Sequence, residues 1–309
     1  MFVAETIILP WKILKNPVLA YENWAIKDPC MIFRDNEFYL FFSAFFDDHG
    51  EERSHLVSVR TKDFIYFSKP DFIWDGRKEG WSGLCSPNIS LCQGKYYLTY
   101  NSWGEIHPNG KKNTLFYAVS KDLVNWEKDI PLGMEVIKDE RAIDPAVTEF
   151  NGKWFLCFKG LESPIVARAP SIDGPWQIVG TPDTGWLIGG EFIMIDGCWY
   201  LAGTGRGLVP ILSRMKGTGD KPEDWISYHP PLRLSFPLEH FNTCIRTHCF
   251  FLSDNRNQTG KYYALYVGAT ENISHLGRGN CKLAIASSPD LVNWHVPPHE
   301  ENSAIERAV

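Results

Sequence analysis

Two Asp-Pro pairs and one glutamate stand at the start of apolar, strand-like runs. Asp28-Pro29 precedes Cys-Met-Ile-Phe, Asp144-Pro145 precedes Ala-Val, and Glu191 precedes Phe-Ile-Met-Ile. Three carboxylates that a repeating architecture delivers to equivalent points can converge on one pocket. Two convergent carboxylates can act as acid and base in the cleavage of a glycosidic bond. Because Asp-Pro alone is a common turn dipeptide, its significance here depends on the repeat that carries it.

The sequence contains five copies of one repeated unit. Each copy begins with a small or acidic residue beside Pro or Gly, runs through a strand, turns at Gly, Asn or Asp, and returns through an aromatic strand. It closes with a stretch that resembles Ser/Thr-x-Asp-Leu-x-x-Trp. The copies start near residues 28, 86, 144, 191 and 246.

Long helical periodicity is absent, so the predicted fold class is all-β. Five units of this length predict one five-bladed β-propeller domain over residues 1–309, with 298–309 as a polar tail. In such a ring the first strand of every blade runs along a central channel, and the opening residues face one axial mouth. A leading segment, about residues 5–14, is expected to add an outer strand to the last blade.

Composition narrows the function classes. The 309 residues are 14% aromatic, which suits β-structure and surfaces that stack on sugars. A formal net charge of -6 without a Lys/Arg run argues against a nucleic-acid partner. The N-terminal apolar run is broken by Pro10, so we predict neither a membrane span nor a signal peptide, and hence a cytoplasmic location unless a signal was removed.

Eight cysteines occur without a Cys-x-x-Cys pair or a zinc-ligand spacing. Most of them lie inside apolar runs, which predicts buried free thiols and favours a reducing compartment. The even count leaves one or two disulfides open.

The predicted axis is acidic on several sides. Asp28, Asp144 and Glu191 are assigned to the same place in blades one, three and four, whereas blade two offers Ser86-Pro87-Asn88 and blade five offers Arg246-Thr247-His248. Clustered carboxylates repel one another, so at least one pKa is expected to rise while another group stays ionised. Acid/base glycoside hydrolysis needs this asymmetry.

The pattern resembles family 43 glycoside hydrolases and their wider clan of five-bladed propellers, which includes fructosidases and levansucrases. The resemblance rests on Asp28 with Phe38-Tyr39-Leu40, on Ser86-Pro87-Asn88 with Gly94 to Leu98, on Ala142-Ile143-Asp144-Pro145, and on Glu191 with Trp199-Tyr200-Leu201. It covers nearly the whole chain, and the Ala-Ile-Asp-Pro element is its most specific part.

The resemblance implies that Asp28 is the general base, that Glu191 is the general acid, and that Asp144 tunes and positions the acid. It implies an inverting hydrolase without a required cofactor, acting on an oligosaccharide, with an arabinofuranoside or xyloside at a chain end or branch as the leading expectation. The chain departs from the family pattern after Glu191, where Phe192-Ile193 replaces the usual Gly-Pro.

Several other residues are candidates for substrate binding. Each aromatic among them is equally compatible with core packing. The set comprises Trp24, Phe46, Trp81, Asn88, Trp103, Trp186, Arg206 and Arg246. The family resemblance adds His248 as a candidate to hold an axial water or a calcium ion, against an equal expectation of a structural histidine.

Two alternatives remain open. One is a retaining, fructosidase-like hydrolase with Asp28 as nucleophile, which needs carboxyl groups about 5–5.5 Å apart. The other is a propeller that binds carbohydrate without catalysis. The sugar, the linkage and the oligomeric state are not specified by the sequence.

Overall fold

A computed structural model describes most of the chain. The described ranges are 8–77, 81–104, 113–137, 141–160, 163–182, 188–205, 208–227, 238–271 and 280–297. Almost all of their regular structure is strand, with one short α-helix, α1 (Arg256–Thr259), and a 3₁₀ turn at Pro222–Asp224. The all-β prediction is confirmed.

The strands fall into five successive units with antiparallel pairing inside each. A parallel pair, Ser54 with Gly83, joins the first two units into one eight-stranded sheet. Unit 1 holds β1 (Ala25–Arg34), β2 (Glu37–Asp48), β3 (Glu51–Thr61) and β4 (Phe72–Asp75). Unit 2 holds β5 (Gly83–Cys92), β6 (Lys95–Trp103), β7 (Leu115–Ser120) and β8 (Glu127–Pro131). Unit 3 holds β9 (Ile143–Phe150), β10 (Lys153–Lys159), β11 (Pro164–Ala169) and β12 (Gln177–Gly180).

Units 4 and 5 follow the same order. Unit 4 holds β13 (Ile188–Ile195), β14 (Cys198–Gly205), β15 (Val209–Met215) and β16 (Trp225–Ser227). Unit 5 holds β17 (Ile245–Asn255), β18 (Lys261–Ala269) and β19 (Lys282–Ser288). The predicted single domain over residues 1–309, with its tail, stays a prediction.

The first strands of the units contact one another in a cycle. Strand β1 contacts β5, β5 contacts β9, β9 contacts β13, β13 contacts β17, and β17 contacts β1 again. These five strands therefore surround a common axis, and side chains far apart in sequence meet there.

Every first strand carries a bulge at which the register with the second strand skips two residues and the first residue skipped has a positive φ. Strand β17 has a further skip, at Arg246 and Thr247, without a positive φ. These bulge residues are Asp28 (φ 48°), Ser86 (57°), Asp144 (57°), Gly189 (59°) and Cys249 (54°). A non-glycine residue in this region costs about 1–3 kcal/mol and occurs where the surrounding structure enforces it. The bulges define five equivalent positions around the axis.

Side chains of second strands hold the bulges of the next unit. The Ser43 hydroxyl accepts from the Ser86 backbone N–H at 2.8 Å, and the Asn101 Oδ1 accepts from the Asp144 N–H at 3.0 Å. Strand β14 repeats the device, because Thr204 Oγ1 accepts from the N–H of Phe250 at 3.2 Å. Side chains of one unit thus accept hydrogen bonds from backbone N–H groups of another unit that the bulges remove from strand-to-strand pairing.

Residues before β1 complete unit 5. The Val18 N–H donates to the Leu283 carbonyl at 2.9 Å, and Leu19 bridges Leu283 in antiparallel fashion. The predicted outer strand at about 5–14 is wrong in its described part, because residues 8–14 form no strand and the pairing lies at 18–19. Residues 1–7 lie outside the described part.

The closing motif of the repeat is a side-chain-capped turn. In unit 2, Asp122 Oδ1 accepts from the N–H groups of Val124 and Asn125, and Leu123 adopts φ 65°. The Trp126 indole then donates to the Leu123 carbonyl at 3.2 Å. Asp290 and Trp294 repeat this geometry around Leu291. The spacing Asp-Leu-x-x-Trp is therefore the signature of a turn.

All eight cysteines are free thiols. Six are buried, Cys198 is half-buried and Cys244 is exposed, so the prediction of burial is wrong for Cys244, which precedes β17 in a connecting loop. Within the described ranges, no helix has the length and apolarity that a membrane crossing requires.

Candidate active site

A narrow cleft, with a cavity volume of about 20 Å³, opens at the axis where the bulges meet. Its lining residues are Asp28, Pro29, Ser86, Pro87, Asn88, Asp144, Pro145, Gly189, Gly190, Cys249, Phe250 and Phe251. All five bulge residues are in this set, so the ring brings the two Asp-Pro pairs together although 116 positions separate Asp28 from Asp144 (144 − 28).

Asp28 accepts a hydrogen bond on each carboxylate oxygen. The Ser43 hydroxyl on β2 donates to Oδ2 at 2.7 Å, and the Cys249 thiol on β17 donates to Oδ1 at 2.8 Å. Two donors on different oxygens fix the orientation of this carboxylate.

Asp144 is more deeply buried, with 8% of its surface exposed. Burial is the main cause that raises the pKa of this carboxyl, and the negative charge of Asp28 raises it further. The Ser86 hydroxyl, the ammonium of Lys159 and the Gly189 N–H, which donates to Oδ2 at 3.2 Å, act in the opposite direction. Asp144 thus holds its proton more tightly than an ordinary aspartate does.

Glu191 does not occupy the position equivalent to Asp28 and Asp144, and that part of the prediction is wrong. The bulge of β13 is at Gly189 and Gly190, and the register resumes at Glu191 opposite Ala202. Glu191 is 3% exposed, its carboxylate accepts from the Leu252 N–H, and burial raises its pKa well above the ordinary value. It lies one layer below the residues that line the cleft.

The predicted aromatic platforms contact other parts of the rim. Trp24 packs on Tyr21 with ring centroids 5.0 Å apart, and Phe46 packs on His55 at 4.7 Å. Trp103 lies edge-on to Phe45. These rings contribute to packing around the first two units, in line with the core alternative.

The remaining binding candidates divide between the cleft, the rim and the part of the chain outside the described residues. Asn88 lines the cleft, and Arg246 is exposed near the start of β17. Trp81 packs edge-on against Phe116 at 5.7 Å between the first two units. Trp186 and Arg206 lie outside the described residues.

His248, the candidate ligand of an axial water or calcium ion, contacts the Cys249 sulfur through its Nδ1. Its role as a metal ligand stays a prediction. Among the described residues, no group of three or more His, Cys, Asp or Glu side chains is arranged to hold a metal ion.

Sequence reasoning missed Gly189 and Cys249 as bulge residues, although a signal for Gly189 was present. In four units the bulge residue stands seven positions before a turn residue with positive φ. The pairs are Asp28 and Asp35, Ser86 and Gln93, Asp144 and Asn151, and Gly189 and Asp196. Counting back from the Asp196-Gly197 turn identifies Gly189, whereas aligning by acidic residue type selects Glu191. In β17 the hairpin contains helix α1, so the count fails there.

The sequence model of glycosyl hydrolases family 43 matches residues 14–168, which is half of the chain and includes both Asp28 and Asp144. The chain belongs to glycosyl hydrolases family 43. The resemblance inferred from the motifs is confirmed.

Relatives of this family 43 protein include enzymes with different activities. It is 26% identical over 155 residues to a β-1,2-mannobiose phosphorylase of Thermoanaerobacter sp. (strain X514), a match that covers 44% of this chain and 47% of that protein. The chain therefore matches about half the length of this curated relative.

Solved structures share the fold. An α-L-arabinofuranosidase from Lactobacillus brevis superposes with a TM-score of 0.65 at 11% identity, over 92% of this chain and 98% of that one. A family 43 β-xylosidase/α-arabinofuranosidase from a compost microbial metagenome, in complex with xylotriose and calcium-free, gives a TM-score of 0.59 at 16% identity, over 97% and 99%. At these identities the likeness shows the fold.

Proposed function

We propose that this family 43 protein is a glycoside hydrolase that removes a terminal or branching arabinofuranosyl or xylosyl group by single displacement with inversion. One observation carries the proposal: Asp28 and Asp144 line the same axial cleft, two donors hold the carboxylate of Asp28, and burial favours the neutral form of Asp144. A base and an acid that face one cleft are what inverting hydrolysis requires.

In this mechanism Asp28 takes a proton from the attacking water. Its carboxylate is held by two donors, so it can orient the water without moving. The acid gives its proton to the leaving glycosidic oxygen as the bond to the anomeric carbon breaks. The next turnover requires that the proton return from Asp28 to the acid by way of solvent.

Asp144 and Glu191 compete for the role of acid, because burial raises the pKa of both. Asp144 lines the cleft beside Asp28, whereas Glu191 is directed at the Leu252 N–H between units 4 and 5. We therefore assign proton donation to Asp144 in place of Glu191. The sugar assignment is supported by the fold shared with the arabinofuranosidase and the xylosidase.

The test uses nitrophenyl arabinofuranosides and xylosides together with arabinoxylan oligosaccharides. Wild-type protein is compared with Asp28→Ala, Asp144→Asn and Glu191→Gln, and the first-formed anomer is followed by NMR. Loss of the acid matters most for substrates with poor leaving groups, so Asp144→Asn should lose about 10²–10⁴-fold on oligosaccharides and far less on activated aryl glycosides. A product of retained configuration would contradict the inverting mechanism.

The same comparison separates the two candidate acids. If Glu191→Gln shows the leaving-group dependence and Asp144→Asn does not, the proton comes from Glu191. If all three variants keep the activity of the wild-type protein, the chemistry lies outside this cleft.

A second candidate is phosphorolysis or hydrolysis of a β-mannoside. It is favoured by the 26% identity to the mannobiose phosphorylase. Assays on β-linked mannobioses with and without inorganic phosphate distinguish the outcomes, because phosphorolysis forms a sugar 1-phosphate only when phosphate is present. Turnover of mannobiose that exceeds turnover of arabinosides and xylosides would replace the pentoside assignment.

A further inference from the structure

The carboxylate of Asp28 is held by side chains from two units that are remote in sequence. Ser43 belongs to the same unit as Asp28, whereas Cys249 belongs to unit 5 and stands 221 positions away. Because the two donors bond different oxygens, they fix the rotation of the carboxylate plane as well as its place. Either donor alone would leave that rotation free.

The backbone of β17 aims the Cys249 thiol at the cleft. Cys249 is the bulge residue of unit 5, with φ 54°, and is therefore the counterpart of Asp28 and Asp144 around the axis. Thr204 anchors the following N–H group at 3.2 Å, and the Nδ1 of His248 contacts the sulfur. The thiol is 2% exposed, so its direction is set by packing.

The thiol is the hydrogen-bond donor in its contact with Asp28. Burial raises the pKa of Cys249 well above the ordinary value, and the charge of Asp28 raises it further. Because the thiol keeps its proton, it donates the hydrogen bond to the carboxylate of Asp28.

We propose that Cys249 is a positioning residue, whose thiol holds the carboxylate of Asp28 in the orientation that activates water. The catalytic part of this inference rests on the proposed function. The contact with Asp28 is itself independent of which sugar is cleaved.

Other titratable or charged groups also face Asp28 or Cys249 and must be kept constant in the test. The charge of Asp28 raises the pKa of Asp144 on β9 and that of Cys85 on β5, after burial. Cys281 lies just before β19, Lys27 precedes Asp28 on β1, and His248 precedes Cys249 on β17. The variants below leave all of these groups unchanged.

The experiment compares Cys249→Ala, which removes the donor, with Cys249→Ser, which keeps one. Cys92→Ser is the matched control, since Cys92 is also a buried thiol of a first strand but lies away from the cleft. Thermal unfolding of each variant establishes that it is folded. The pH profile of kcat/KM and the carbonyl-¹³C signal of Asp28, assigned with Asp28→Asn, are then recorded over the same pH range.

We expect Cys249→Ala to lower kcat/KM by about 10- to 100-fold, mostly through kcat, which is the range for a hydrogen bond to a charged group. The acidic limb of the profile and the midpoint of the Asp28 ¹³C titration should both move to higher pH. Cys249→Ser should restore both, and Cys92→Ser should match the wild type.

The two readouts separate the two proposals. A shifted ¹³C midpoint in a protein that hydrolyses none of the glycosides would uphold the contact and overturn the proposed function. Conversely, an active enzyme whose profile and ¹³C midpoint are the same in Cys249→Ala and wild type would overturn the positioning role.

Discussion

Glu191 stands at the same register position as Cys30, two residues beyond the bulge of its strand. Cys30 resumes the pairing of β1 with β2 opposite Phe41, as Glu191 resumes that of β13 with β14 opposite Ala202. The charge of Glu191 contributes to raising the pKa of Cys30, after burial. Two layers of the axis therefore carry acidic side chains. The upper layer lines the cleft, and the buried layer below it holds the carboxyl of Glu191 from β13.

The buried carboxyl of Glu191 should make stability depend on pH. Its folded-state pKa is raised above the unfolded value by burial, so its contribution is fully present below the unfolded pKa and is lost as pH rises. Glu191→Gln cannot ionise and keeps an oxygen for the Leu252 N–H. We expect the variant to gain stability relative to wild type from about pH 4.5 upward, by at most about 1.4 kcal/mol per pH unit.

Urea unfolding of wild type and Glu191→Gln between pH 4.5 and 8.5 measures this difference. The matched control is Glu223→Gln, which removes an exposed carboxyl from the 3₁₀ turn. A Glu191→Gln difference that stays constant over this range would mean that Glu191 is ionised in the folded protein.

Asn16 fastens the N-terminal segment to unit 5. Its side chain donates to the Ile285 carbonyl and accepts from the Ile285 N–H, both at 3.0 Å, as a neighbouring strand would. It also donates to buried Glu239 at 3.2 Å. Asn16→Ala should lower the free energy of unfolding by about 2–4 kcal/mol, because buried partners lose their bonds. Denaturant unfolding measures the loss, and Lys12→Ala, on an exposed side chain four positions earlier, should change it by less than about 0.5 kcal/mol.

Asp220 links units 3 and 4. It pairs with Lys153 at 2.8 Å and with Arg168 at 2.5 Å, and the hydrogen bond from Lys153 is the main cause that lowers its pKa, to about 2. A lowered folded-state pKa gives stability above the unfolded pKa that is lost as pH falls. Because the cations are more than a third exposed, Asp220→Asn should cost only about 1 kcal/mol at pH 7.

That cost should shrink between about pH 4 and pH 2, and also in high salt, which screens exposed pairs. Thermal unfolding at low and high ionic strength checks both trends. An Asp220→Asn difference that is unchanged at low pH would show that Asp220 acts through packing.

The place of Asp28 and Asp144 in the cleft could be predicted because residue type and register agree. Each combines an Asp-Pro pair with a fixed distance to the following hairpin turn, and both observations point to one ring position. The predicted ring position of Glu191 is wrong because residue type and that distance disagree there. Cys249 carries no local signal, since its role arises only when ring closure brings β17 beside β1, a relationship between chain positions 221 residues apart.

Gly189 offers a direct test of the ring equivalence. It is the bulge residue of unit 4, its φ is 59°, and a Cβ built there meets no atom within 4 Å. Aspartate tolerates this backbone region better than most residues, and Asp28 and Asp144 already adopt it. Gly189→Asp should therefore fold, with a loss of no more than about 1–2 kcal/mol, and should place a third carboxylate in the cleft.

The added charge should raise the pKa of Asp144 further, because like charges disfavour ionisation. If Asp144 is the proton donor, the basic limb of the kcat profile moves to higher pH in Gly189→Asp and stays in place in Gly189→Asn, which fills the same space without charge. A profile of Gly189→Asp that matches that of Gly189→Asn would show that the position does not face Asp144. The ring register would then have to be assigned differently.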